Sequence, residues 1–245
     1  MADFEGVFAS LADVNGWMTK DQARRLWDRA GELHSSQRIV EIGSFQGRST
    51  VVLASAAPSG VEVVAIDPHG GNDRGPQEIS GYEAEAEDDN KKFNANLEAA
   101  GVRDRVTHLR KFSDAALGDV TGPVDLLYVD GAHRFVPATK DIRQWGEKVP
   151  TGGHLLVHDS FSSIGVTLAL TVTTFWSRTW TYEGRSQSMT QFVKGPVDRS
   201  TQVRSLLRQV AQLPYFARNL LYKVLLTLKL KNVAKVLGST GEWPY

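Results

Sequence analysis

The sequence predicts an α/β protein: a mostly parallel sheet with helices on both faces, followed by a helical extension. Three observations carry this. Short runs of Val, Ile and Leu alternate with helical patterns, as buried parallel strands joined by crossover helices do. The run at 38–42 breaks into Gly43 and Gly47, four residues apart, and then opens a helix, a strand–turn–helix whose backbone a ligand can approach closely. The runs at 179–185 and 189–194 are separated only by Ser186-Gln187-Ser188 and read as a hairpin. A chain of 245 residues with 41% hydrophobic residues can bury one such core.

Gly16-Trp17-Met18 leads into a first helix. Strands follow at 38–42, 61–67, 106–110, 124–130 and 154–158, and the hairpin completes the sheet. Open α/β sheets bind ligands beyond the carboxyl ends of their strands, and Glu41, Asp67, Asp130 and Asp159 all fall on such ends. Residues 70–90 interrupt the pattern with Gly70-Gly71-Asn72-Asp73-Arg74-Gly75-Pro76 and the acidic run from Glu83 to Asp89. Composition predicts a solvated loop there, entering a helix at 90–100, and long loops at a ligand edge often act as lids.

Residues 1–195 read as the catalytic-type domain and 196–245 as an appended unit, divided by Pro214 into helices at 201–213 and 215–237. The second helix carries two apolar stripes, Leu220, Leu221, Val224 and Leu228 against Tyr222, Leu226, Leu230, Val233 and Leu237. Two stripes need two partners. The helix is therefore expected between its own domain and a second subunit, ahead of a membrane-surface anchor with a single stripe.

The strand ending in Asp67 places a carboxylate where nucleotide-binding βαβ units hold a ribose diol, so the ligand should carry a nucleoside. A phosphate-binding P-loop is excluded, because the glycines are one residue too close and Arg48 stands in place of Lys. The dinucleotide turn is disfavoured too, since Phe45 occupies its second glycine position.

Glu41-x-Gly43-x-x-x-Gly47, with Asp67 ending the next strand, resembles motif I and the acidic loop of class I S-adenosylmethionine (SAM) dependent methyltransferases. Gly16-Trp17-Met18, Leu127-Tyr128-Val129-Asp130-Gly131-Ala132-His133, Asp141 with Trp145, and Gly152-Gly153 running to His158-Asp159 then follow in the order of a bacterial methyltransferase family. Its better-known relatives O-methylate sugars and natural products. The resemblance implies a Rossmann-like seven-stranded sheet in the order 3-2-1-4-5-7-6. It also implies a donor site made of Glu41, Gly43, Ser44, Gly47, Ser49, Thr50, Asp67, Phe112, Ser113 and Asp130. Asp67 would bind the ribose, Phe112 and Ser113 would meet adenine, and the two glycines would let the methionine moiety lie against the backbone.

A sugar hydroxyl is too weak an acid to ionise near neutrality, so methylating it needs a base, a metal ion or both. His133, three residues beyond Asp130, is the candidate base. Asp130 and Asp159 end adjacent strands and suit a hard cation such as Mg²⁺. Metal-dependent relatives carry a further Asp, Glu or Asn beside the second aspartate, whereas His158 and Ser160 flank Asp159 here. The alternative keeps Asp130 for the SAM amino group and lets Asp159 orient His133 or the substrate. The expected function is O-methylation of a sugar, oligosaccharide or glycosylated natural product. A hydroxylase-associated protein of the same fold and a SAM-binding scaffold without turnover are the alternatives.

The absence of cysteine removes disulfides, thiolate zinc sites and Cys nucleophiles. Residues 196–245 hold eight Lys/Arg against Asp198 and Glu242, about +6, which leaves the rest near −6. A basic tail on an acidic body suits an acidic surface, whether its own domain, a second subunit or anionic lipid, and argues against nucleic acid. The chain is expected in the cytoplasm as a homo-oligomer, with peripheral membrane contact through the tail.

Overall fold

The computed structural model describes residues 3–70 and 83–238. Strands β1 (Arg38–Ile42), β2 (Glu62–Ile66), β3 (Val106–Leu109), β4 (Leu126–Val129), β5 (His154–Val157), β6 (Trp180–Ser186) and β7 (Met189–Lys194) form one sheet ordered β3-β2-β1-β4-β5-β7-β6. The first five are parallel, and β7 runs antiparallel to both β5 and β6. Topology and strand positions are those expected from the sequence.

The central strands are apolar on both faces, which requires a helical layer on each. Ile39, Val63, Ala65, Leu126, Tyr128 and Leu156 enter one core, closed by α1 (Phe4–Ser10), α2 (Lys20–Gly31), α3 (Arg48–Ala56) and α4 (Glu83–Ala99). Val40, Ile42, Val64, Ile66, Leu127, Val129, Leu155 and Val157 enter the other, closed by α5 (Ser113–Ala116), α6 (Phe135–Lys148) and α7 (Ile164–Thr173).

Two expectations are corrected. The acidic run from Glu83 to Asp89 is the opening of α4, not loop; the rest of the expected loop, at 71–82, lies outside the described residues. Acidic residues suit the amino-terminal part of a helix, and Asp88 pairs with Lys92 one turn on. The tail forms three helices, α8 (Arg199–Val210), α9 (Leu213–Thr227) and α10 (Lys231–Val236). The long second helix breaks where Lys229 takes a φ of 58°, and α10 folds back so that the Tyr222 hydroxyl donates to the carbonyl of Leu237 at 2.6 Å. Tyr222 is thereby buried within the tail, while Leu221, Val224 and Leu228 of one expected stripe and Leu230, Val233 and Leu237 of the other stay exposed.

The tail also finishes the sheet. Ser205 Oγ accepts from the Tyr182 amide at 3.0 Å, and Arg208 donates to the carbonyls of Tyr182 and Glu183 at 2.9 and 2.8 Å. These bonds from α8 satisfy the outer backbone groups of edge strand β6, which would otherwise offer themselves to another strand.

Candidate active site

The parallel ladder continues past the strand ends. Gly43 donates to the carbonyl of Ile66 at 2.8 Å, Asp130 to Ile42 at 2.8 Å and His158 to Val129 at 2.9 Å. Asp67, Asp130 and Asp159 therefore share one edge of the sheet, beside a cavity of about 1760 Å³. Single-ligand pockets are typically about 300–1,000 Å³, so this one has room for a donor and an acceptor together.

The β1–α3 turn is held from several sides. Asp67 accepts from the backbone amides of Phe45 and His69, both at 2.8 Å. Behind the wall, Glu41 is fully buried and accepts from the hydroxyls of Ser49 and Thr50. Burial pushes the Glu41 carboxyl up to about 7 against the pull of those two hydroxyls. Ser49 lines the cavity; Glu41 and Thr50 do not.

Packing alone requires both glycines of this turn. A Cβ on Gly43 would lie 2.1 Å from the carbonyl oxygen of Asp130, and one on Gly47 would lie 2.6 Å from Cδ1 of Leu97 on α4. Both have positive φ, 89° and 84°. Gly47 does not line the cavity; its missing side chain makes a seat for α4.

At the far end of the cavity Phe112 is 68% exposed, a free aromatic face and not a core residue. Ser113 beside it donates to Asp141 at 2.5 Å, and burial raises the Asp141 carboxyl to about 6 despite that bond. Ser44 also lines the cavity, and its buried hydroxyl has no hydrogen-bond partner among the described residues. A cavity wall with an open aromatic face, an orphaned hydroxyl and Asp67 fits a nucleoside-bearing donor.

Asp130, His133 and Asp159 offer ligand atoms all within 4.8 Å of one another. Nε2 of His133 is hydrogen-bonded to Asp159 Oδ2. The sequence reading gave no role to His158, yet its Nδ1 lies 3.2 Å from Asp130 and 3.5 Å from Asp159, fully within the protein. Burial opposes charge on His158, but the two carboxylates outweigh it and push the imidazole up to about 10. Burial likewise opposes charge on Asp159, and His158 and His133 hold it well below the usual carboxylate range. His133 feels the same competition, burial against the Asp159 carboxylate, and ends above its ordinary value. The Tyr128 hydroxyl donates to Asp130 at 3.1 Å and completes the cluster.

Phe45, His69 and Asp159 line the cavity with φ of 44°, 43° and 54°. Left-handed backbone costs a non-glycine residue about 1–2 kcal/mol, and such strain gathers at ligand-binding edges. The cavity is also lined by residues the sequence offered no reason to choose. Leu220, Lys223, Val224, Thr227 and Leu228 of α9 and its end form part of its wall, anchored by Asn219 donating to the Phe161 carbonyl and Lys223 to the Ser162 carbonyl, both at 2.9 Å.

Residues 40–160 match the family model described as a methyltransferase domain. The fold is similar to that of the O-methyltransferase TomG from Streptomyces achromogenes, involved in tomaymycin synthesis and solved with SAM. That pair shares 18% identity and a TM-score of 0.53, over 80% of this chain and 92% of that one. It is similar to the O-methyltransferase NovP at 13% identity and a TM-score of 0.60, over 78% and 88% of the two chains. Cofactor-bound Rv0187 from MTB gives 18% identity and a TM-score of 0.55, over 78% and 87%. At these identities the likeness is one of fold. The family match spans the glycine turn, the acid-tipped β2 and the β4 and β5 ends, and on that ground, with the sheet order, the chain is a class I SAM-dependent methyltransferase.

Proposed function

We propose that this methyltransferase transfers the methyl group to a hydroxyl of a sugar, oligosaccharide or glycosylated natural product, with His133 as general base. The observation that carries the reading is the Asp159–His133 pair on the wall of a two-ligand cavity. Asp159 holds the proton of His133 on Nε2, which leaves Nδ1 as the basic nitrogen. A hydroxyl seated against it loses its proton to His133 as its oxygen forms the new bond to carbon. The imidazolium that results is stabilised by Asp159, which His158 keeps ionised.

SAM, when bound, supplies an electrophilic methyl carbon on sulfur, and the bond to sulfur breaks as the bond to oxygen forms. For that donor, Asp67 is assigned to the ribose and Phe112 to the adenine. Gly43, Ser44 and Ser49 border the methionine part, and Asp130 takes its ammonium group. Ser113 borders the adenine beside Phe112, while Glu41, Gly47 and Thr50 lie behind the cavity lining and shape the wall. The rest of the rate comes from alignment of donor and acceptor in one cavity.

The set of Asp130, Asp159 and His133 also fits a divalent cation such as Mg²⁺. Asp130 and Asp159 would hold it, and it would lower the acidity threshold of the acceptor hydroxyl. The proton transfer to His133 described above requires no metal ion. Calorimetric titration with S-adenosylhomocysteine, followed by a labelled-methyl screen over glycosides with and without chelator, tests the reading. Binding to the wild type, roughly 1–3 kcal/mol weaker in Asp67→Ala, is expected. No binding to the wild type overturns the donor assignment. Methyl transfer unaffected by chelator, with no metal in the protein, removes Mg²⁺.

A further inference from the structure

Five residues from three elements rim the cavity with exposed apolar side chains: Phe135 and Val136 on α6, Ile164 on α7, and Val224 and Leu228 at α9. A small polar sugar gains nothing from such a rim. On α9, Leu221, Val224 and Leu228 share one face by their helical spacing, and all three are exposed. The exposed apolar surface continues through Leu230 into α10, where Val233, Val236 and Leu237 are exposed and Val236 reaches 87%.

Charge singles out the occupant. Exposed Lys229, Lys231 and Lys235 are interspersed with these side chains, and residues 199–238 contain eight Lys/Arg and no Asp or Glu. A symmetric contact between two copies would set this cationic patch against itself. An anionic bilayer would neutralise it and repel the body, which carries about −6, so that the tail faces the lipid. No described helix is long and apolar enough to cross a membrane, which leaves the helices lying on its surface.

We propose that α9 and α10 dock on an anionic membrane surface, and that the cavity takes from it an amphiphilic acceptor, whose apolar part passes the rim while its hydroxylated head reaches His133. The second half rests on the function proposed above; the docking does not.

The test is sedimentation of the full chain with vesicles of phosphatidylcholine, alone or with roughly a third phosphatidylglycerol. The protein should pellet with the anionic vesicles and be released by high salt. Lys229, Lys231 and Lys235 together changed to Gln should weaken partition about 100-fold, and Val233, Val236 and Leu237 together changed to Ser should also release the protein. Both variants should bind S-adenosylhomocysteine as the wild type does, which controls for folding. Equal or no pelleting with the two vesicle types overturns the proposal. So does a dimer in light scattering that the same Val and Leu substitutions dissolve, since the patch then belongs to a second copy. A chain that binds S-adenosylhomocysteine but no vesicles refutes docking and keeps the methyltransferase site; one that binds vesicles but no S-adenosylhomocysteine keeps docking and refutes the assigned site.

Discussion

His133 can take a proton only in its neutral form, and its neighbours set the pH at which that form is available. Burial favours the neutral ring, but Asp159 favours the imidazolium more, so the ring titrates above its ordinary 6.5. The sign follows: activity should rise with pH through a window lying above 6.5, and flatten once the ring is neutral. His133→Ala should lower kcat about 10²- to 10⁴-fold while S-adenosylhomocysteine affinity and melting temperature hold. A stable variant with near-wild-type turnover would make His133 a loop residue. His158 invites a stability measurement. Its folded value near 10 exceeds the ordinary 6.5, so its contribution is complete below 6.5 and fades as pH rises towards 10. His158→Gln removes the cation that faces both Asp130 and Asp159 and should cost about 3–5 kcal/mol near pH 6, with the deficit shrinking by pH 10. Denaturant melts at several pH values decide it, and a deficit independent of pH would reduce His158 to a packing role.

At the scale of the element, the β1–α3 turn is a motif that the sequence locates and for which packing supplies a further reason. The sequence located the glycines, because only glycine enters a turn of that shape freely. It could not show that the space left by Gly47 belongs to Leu97, which is fifty residues away on α4. Gly47→Ala should therefore destabilise the fold, by about 1–3 kcal/mol for forcing Leu97 aside, with S-adenosylhomocysteine affinity preserved in the folded fraction. An unchanged melting temperature with lost affinity would favour the methionine channel. Strands were legible for a related reason: a run apolar on both faces has few places to go other than the middle of a covered sheet. The break after α9 was not. Its stripe runs on through Lys229, and what stops the helix is the fold-back that Tyr222 fastens.

At the scale of the molecule, Asp130 and Asp159 could be brought together on paper because strand ends in a parallel sheet meet whatever their separation in sequence. The roof of the cavity could not, since it depends on bonds such as Asn219 to Phe161 and Lys223 to Ser162, across 58 and 61 residues. Those bonds bear on whether residues 196–245 are an appendage. Without α8, the Tyr182 amide and carbonyl and the Glu183 carbonyl of β6 lose their partners; without α9, the cavity opens beside the His133–Asp159 pair. Unpaired edge strands recruit other chains, and a buried group left unsatisfied costs about 1–3 kcal/mol. A chain ending at Asp198 should accordingly melt well below the full protein, self-associate, and bind S-adenosylhomocysteine less tightly. Light scattering, thermal denaturation and calorimetry on the two forms give the comparison. If the shortened chain stays monomeric and matches the full chain in melting temperature and affinity, the tail is a separable unit, and the boundary read from the sequence near residue 195 is a true domain boundary.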